Sequence, residues 1–319
     1  VLLCLSRILL AQPVPSVTIG GAGDVNIGES IDITVTFDNT SATDVGYGPF
    51  LDIVFPVNGE DGAAGTAIAD GVTFSGPGTY LGLPVTSIEQ VFPDDGGGVG
   101  CVDHPFAVDA TDTPLQVCGI AGDVLVTLEL PFGSFTNNQP PAPLDITIDL
   151  SPLADLGEPL DLYARAGFMF GEDPLENSAT DPSIVSDAGT DSSTWSEVGT
   201  ITPTLLELTK EYNGPEDETA TGPNFPREYT IVVDIADGQT ITDLDVIDLL
   251  PDSHAFLGVV STVPAGTTVV SPPVGTTAAA PNNELRVNIP SVTGTTAAND
   301  VEVTFQFFVD RLDAGGSDV

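Results

Sequence analysis

Residues 29–56 read ESIDITVTFDNTSATDVGYGPFLDIVFP, and residues 228–251 read EYTIVVDIADGQTITDLDVIDLLP. In the first stretch Ile31, Ile33, Val35 and Phe37 alternate with Asp32, Thr34, Thr36 and Asp38. In the second, Tyr229, Ile231 and Val233 alternate with Thr230, Val232 and Asp234. A period of two marks a strand with one buried face. Each strand gives way to an Asn/Asp/Gly turn, a second strand and a proline, Pro56 or Pro251. Two further pairs follow in the same order: DGVTF (70–74) against DSHAF (252–256), and DVLVTLEL (123–130) against DVEVTFQF (300–307). Three landmarks in one order predict a tandem duplication of a β domain.

The rest of the chain fits that reading. Strand patterns recur at Val124–Leu130, Leu144–Leu150, Leu160–Phe170, Leu205–Tyr212, Leu285–Ile289 and Val301–Val309. The 34 Gly and 27 Pro punctuate them and forbid long helices, so Pro152–Leu156 is a single helical turn at most. Short strands with one face to bury predict an all-β fold of antiparallel sandwiches. The offset between copies shrinks along the chain, which places extra length in copy one between Pro56 and Asp123. Copy two reads as cut short after Asp300. The expected organisation is a leader over 1–12, a sandwich with a long loop insertion over 13–200, and a second, incomplete sandwich over 201–319.

The opening VLLCLSRILLAQP has the apolar core and small-residue end of a secretory signal, and its apolar run is too short to span a bilayer. Removing it takes Cys4 and leaves Cys101 and Cys118. The intervening VDHPFAVDATDTPLQV reads as a loop, and a disulfide would close 17 residues. Such a bridge suits an oxidising, extracellular compartment. Six Lys+Arg against 47 Asp+Glu give a net charge of −41, which excludes nucleic acid as a partner and disfavours anionic membranes. No other stretch is long enough to insert in a membrane.

In the second copy, TPTLLELTKEY (202–212), the Tyr-containing strand at 229–233 and the Asp248–Pro251 corner resemble a bacterial and archaeal extracellular repeat family of unknown function. That resemblance covers 203–309 well and 16–135 more loosely, where IVFP stands at the corner instead of DLLP. It implies Ig-like sandwiches strung in tandem through large surface proteins, with a stalk, adhesin or envelope role and no shared active site. Partners would be other repeats of the chain and cell-envelope or matrix components.

Candidate chemistry is sparse. The densest acids are Glu172, Asp173, Glu176, Asp181, Asp187 and Asp191, with Glu216, Asp217 and Glu218 following. Calcium needs six to eight oxygens. Glu172, Asp173, Asp181, Asp187, Asp191, Glu216, Asp217 and Glu218 are the candidate ligands, set against a plain exposed acidic loop. Lys210, the only lysine, shares strand phase with Leu206 and Leu208; it reads as a snorkelling edge lysine, or as an isopeptide donor to an Asn on a later strand. His104 and His254 lack a second His or Cys at metal spacing. Ser253 and His254 are strand neighbours expected to point apart. No nucleophile elbow, phosphate loop or dinucleotide fingerprint occurs, so catalysis is not expected. Trp195 reads as a plug at a domain interface, against a carbohydrate platform. The expected function is a non-enzymatic surface protein, structural or adhesive; the alternatives are an accessory region of a secreted hydrolase and a glycan-binding module.

Overall fold

The computed structural model describes residues 12–59, 69–172, 182–214, 225–265, 267–271, 273, 282–296, 299–313 and 315–318. The expected leader therefore lies almost wholly outside the described residues. The chain divides into two compact units, Val1–Pro203 and Thr204–Val319. The first unit opens with β1 (Pro15–Gly20), β2 (Asp24–Asn26), β3 (Ser30–Asn39), β4 (Val45–Tyr47) and β5 (Pro49–Phe55). It continues through β6 (Val72–Phe74), β7 (Thr79–Tyr80), β8 (Leu83–Pro84) and β9 (Thr86–Val91). Next come β10 (Val99–Val108), β11 (Pro114–Ile120), β12 (Val124–Glu129), β13 (Ser134–Thr136) and β14 (Ala142–Leu150). Then follow β15 (Leu160–Phe168), β16 (Ile184–Val185) and β17 (Glu197–Thr204), which runs up to the boundary. The second unit holds β18 (Leu206–Gly214), β19 (Arg227–Ile235), β20 (Thr240–Leu249) and β21 (His254–Val263). It ends with β22 (Thr268–Ser271), β23 (Glu284–Thr293) and β24 (Val301–Val309). One 3-10 turn, Ser192–Thr194, is the only helical element among the described residues.

The first unit packs the sheet β1-β3-β14-β7-β8, with β6 also on β14, against the sheet β2-β17-β15-β5-β12-β9. The main ladders are antiparallel. Ile33, Val35 and Phe37 bury their alternating face, as their spacing predicts, together with Leu144, Ile146, Leu51, Ile53, Leu162 and Ala164. Ring contacts cross the layers: Phe37 meets Phe168 edge-on at 5.4 Å, and Phe55 meets Phe74 at 5.8 Å. Each such side chain contributes about 1.5–3 kcal/mol by leaving water.

The second unit pairs β18-β19-β24-β21 in one sheet and β20-β23-β22 in the other. Its core gathers Ile231, Val233, Val303, Phe305 and Phe307 from the first sheet and Val246, Val287 and Ile289 from the second.

The pairing order is shared between units. The series β1-β3-β14-β6 matches β18-β19-β24-β21, and β5-β12-β9 matches β20-β23-β22, with the strands in the same sequence order. This corrects one landmark. The strand at 123–130 pairs with β5 and so corresponds to β23, whereas the strand at 300–307 pairs with β19 and corresponds to β14. Their likeness is local. Asp123 accepts the Asn58 N–H at 3.2 Å, and Asp300 accepts the Ile235 N–H at 2.9 Å. Each Asp clips the end of the strand that its own strand pairs with.

Candidate functional site

All seven residues of β5 are buried, so this strand is covered on both faces. Leu51, Ile53 and Phe55 face the sandwich interior. Phe50, Asp52 and Val54 face the other way, and register carries that face onto Leu125 and Thr127 of β12 and Tyr163 and Arg165 of β15. Over it lies the segment between the cysteines. The sequence suggested a loop there, but it is the β10–β11 hairpin, with Cys101 directly opposite Cys118 and the disulfide formed between them. Pro105 and a register shift between Asp103 and Val108 obscure its alternation in the sequence.

Asp52 sits at the centre of this interface with no solvent exposure. His104, descending from β10, places Nε2 at 2.9 Å from Oδ1, and Thr127 Oγ1 donates to the same oxygen at 2.8 Å. Arg165 Nε donates to Oδ2 at 2.7 Å. The His104 Nδ1 accepts two backbone N–H groups, from Phe106 at 3.0 Å and Ala107 at 2.7 Å. A nitrogen that accepts two donors carries no proton, so the ring is the Nε2–H tautomer donating to Asp52. Burial raises the Asp52 carboxyl, but His104 and Arg165 outweigh it and hold the group below the usual carboxylate range.

Arg165 continues the network outward. Its guanidinium carbon lies 4.6 Å from the Trp195 ring centre, and Nη1 reaches the Asp187 carbonyl at 3.5 Å. Trp195 is buried and donates from Nε1 to the Gly189 carbonyl at 3.2 Å. It packs with Val54, Phe92, Val117 and Leu125 inside the first unit, which corrects the expected plug at a domain interface. Its ring covers the buried Arg165 guanidinium. Nearby, Gly167 is required because a Cβ there would run into the Phe50 ring.

Beside the network, a cavity of about 360 Å³ opens among Val54, Val99, Ile120, Tyr163, Asp161 and Asp123. Burial pushes the Asp123 carboxyl up to about 6, against backbone N–H donors at Asn58 and Val57 that lower it. Burial, with Asp161 next, raises the Tyr163 hydroxyl.

Among the candidate calcium ligands, Glu172 lies half-buried in the turn after β15. Asp187 accepts from Ser196 Oγ at 3.1 Å; Asp191 caps the 3-10 turn, accepting from the Ser193 N–H at 3.1 Å. Asp173, Glu176, Asp181, Glu216, Asp217 and Glu218 lie outside the described residues. Among the described residues, no group of three or more His, Cys, Asp or Glu side chains is placed to hold a metal ion.

In the second unit Lys210 bridges the two sheets, with Nζ at 2.7 and 2.9 Å from the Asp248 carboxylate and 4.4 Å from the Tyr229 ring centre. Its partner is thus an acid, and the stem crosses aromatic surface. Ser253 Oγ approaches His254 Nδ1 at 3.3 Å, because Ser253 stands in the turn before β21 and strand alternation does not yet apply. Burial, then Lys210 and Arg227, lowers the His254 pKa, and its ring stacks on Phe307 at 4.7 Å.

Asp52, Thr127 and Arg165 were not singled out by sequence reasoning. The available signal was one acid within FLDIVF and one base within LYARAGF, each a lone charge in an apolar strand.

No family model matches the chain, and no curated protein matches it. The likeness of the second copy to the extracellular repeat family therefore rests on its own residues. Solved structures with a similar course include the sixth cohesin of Acetivibrio cellulolyticus scaffoldin B, 9% identical, covering 60% of this chain and 99% of that one at a TM-score of 0.29. The cohesin module of a Clostridium perfringens family 33 glycoside hydrolase is 7% identical, covering 61% and 100% at 0.27. The C-terminal domain of the Streptococcus agalactiae AgI/II polypeptide BspA is 8% identical, covering 94% and 92% at 0.26. At these identities and scores they say nothing of what this chain binds.

Proposed function

We propose that the chain is a non-catalytic extracellular module with a structural or adhesive role. The observation that carries this reading is the Asp52–His104–Arg165–Thr127 network. Those residue types could serve acid–base chemistry in an open cleft, yet here each is sealed and engaged in fastening a disulfide-closed hairpin to a sheet. A clamp of this kind stiffens a domain that works without a cell's reducing systems. The −41 charge suits a soluble surface that repels other acidic polymers.

The test pairs two assays on the purified chain. Ester, peptide and glycan substrates are expected to show no turnover, while antibody against the chain is expected to label intact producing cells. Turnover abolished by His104→Ala, or a purely cytoplasmic signal, overturns the reading.

Calcium stiffening is proposed separately, from the acids at 172–191 and 216–218. Millimolar calcium is expected to raise the Tm relative to chelator, since an ion bound only to the folded state stabilises it. Identical melting in both conditions removes calcium from the account.

A further inference from the structure

The hairpin that covers Asp52 and Arg165 does not close the whole outer face of its sheet. At the disulfide end of the cover a cavity of about 360 Å³ remains, bounded by sheet, hairpin and 3-10 turn. Val54 and Tyr163, directly opposite each other on β5 and β15, line it from the sheet. Val99 and Ile120, cross-strand partners in the hairpin, line it from the cover and remain 49% and 45% exposed. A largely apolar hollow of this size with a few convergent polar groups has the character of a small-ligand site.

The charges in it are all of one sign. Asp123, Asp161 and Asp191 line the cavity, and no Lys, Arg or His does. Asp123 is 5% exposed and is met by backbone N–H groups of Asn58 and Val57, not by a cation. The Tyr163 hydroxyl stands 3.5 Å from Asp161 Oδ2, and burial, then the charges of Asp161 and Asp191, holds its proton on. Among the described residues of the first unit Arg165 is the only Lys or Arg, and its Nε is engaged with Asp52. That part of the unit therefore has no cation of its own to offer these three acids. A metal ion would need them to converge, and among the described residues no three such side chains do.

We propose that this cavity is a binding site for an organic cation, an ammonium group carried on an apolar stem. The stem would lie against Val54, Val99 and Ile120, where leaving water favours it. The head would take hydrogen bonds to the carboxylates, and the Tyr163 ring adds attraction for a cation. An anion would meet only like charge. No reaction is involved, so a non-catalytic module can carry the site. The ammonium can come from a free amine or from a lysine side chain, whose stem is also apolar.

The probes are hexylammonium, methylammonium, hexanol and a capped tripeptide with lysine at its centre, each titrated into the full chain by calorimetry. Hexylammonium is expected to bind at least about tenfold more tightly than methylammonium, which has the charge without the stem. It is expected to exceed hexanol by about tenfold or more, because hydrogen bonds to a charged group are the stronger ones. It is also expected to slow amide exchange over 119–123 and 191–193. Asp123→Asn, which keeps an oxygen for the Asn58 N–H, is expected to weaken hexylammonium about tenfold and leave hexanol unchanged. If that variant fails to fold, the exchange map of the unaltered chain decides. Tripeptide binding at least as tight as that of hexylammonium supports the site and makes a protein side chain the source; weaker tripeptide binding supports it with a free amine as the source. Equal binding of methylammonium would reduce the effect to bulk charge and overturn the proposal. Equal binding of hexanol, protection centred in the second unit, or no binding of hexylammonium overturns it as well.

Discussion

The strands Pro49–Phe55 and Thr240–Leu249 hold matching places in their sheets, yet one is buried along its whole length and the other at a single residue. Two additions account for the difference. The first unit has β15, itself flanked by β17, beside β5 and the disulfide hairpin over its outer face; the described part of the second unit has neither. With that third layer comes a charged interior. An Asp, a His and an Arg sit where a plain sandwich exposes side chains to water, and their mutual bonds offset the cost of desolvation. Among the described residues, the second unit keeps its inter-sheet ion pair near water, with Lys210 and Asp248 side chains 32% and 10% exposed. Burial thus makes one cluster a structural keystone and leaves the other a modest fastening.

The sharpest way to break the contrast is Asp52→Ala, which leaves Arg165 buried without its carboxylate. We expect the first unit to lose about 3–5 kcal/mol while the second unit's transition stays in place, read by calorimetry. A shift of both transitions together would deny that the units melt separately. Next is the disulfide. Cys101→Ser with Cys118→Ser is expected to cost the first unit about 3 kcal/mol, the loop-closure value for a bridge of this span. The denaturation midpoint is the readout.

Acid titration separates the two buried carboxyls. Asp123 keeps its proton in the native state up to about 6, while the unfolded chain releases it near 3.8. Stability of the first unit therefore falls as pH rises through that window, by at most about 1.4 kcal/mol per pH unit. Asp123→Asn is expected to flatten the slope. Asp52 acts oppositely: its carboxyl is held low, so its stabilisation is present above the ordinary value and lost only in stronger acid. A denaturation series from pH 3 to 7 in both variants tells them apart. The smallest expected effect is Lys210→Ala, about 1 kcal/mol or less on the second unit, because water screens its pair with Asp248.

Much of this architecture was legible from residue order. Ile33, Val35 and Phe37, and Ile231 and Val233, are buried as their alternation required, and Cys101 meets Cys118. The equivalence of 123–130 with 300–307 misled because an acid that clips a neighbouring strand end, followed by Val-x-Val-Thr or Val-Thr alternation, suits more than one strand of a sandwich. The hairpin was hidden by Pro105 and by the register shift near it. The charged cluster was hidden by distance in sequence: Asp52, His104 and Arg165 meet only after the chain has folded back across the sheet, and each looks alone in its own strand. The candidate calcium acids were plain to see, but no geometry among the described ones converts them into a site.

Trp195 is the chain's single tryptophan, and its indole lies against the Arg165 guanidinium in the first unit. The protein therefore carries a built-in optical probe confined to that unit. Excitation at the red edge of indole absorption would report whether the hairpin is seated, while the Tyr212 and Tyr229 pair of the second unit stays silent. A red shift of the emission that precedes global unfolding would time the release of the cover without a label.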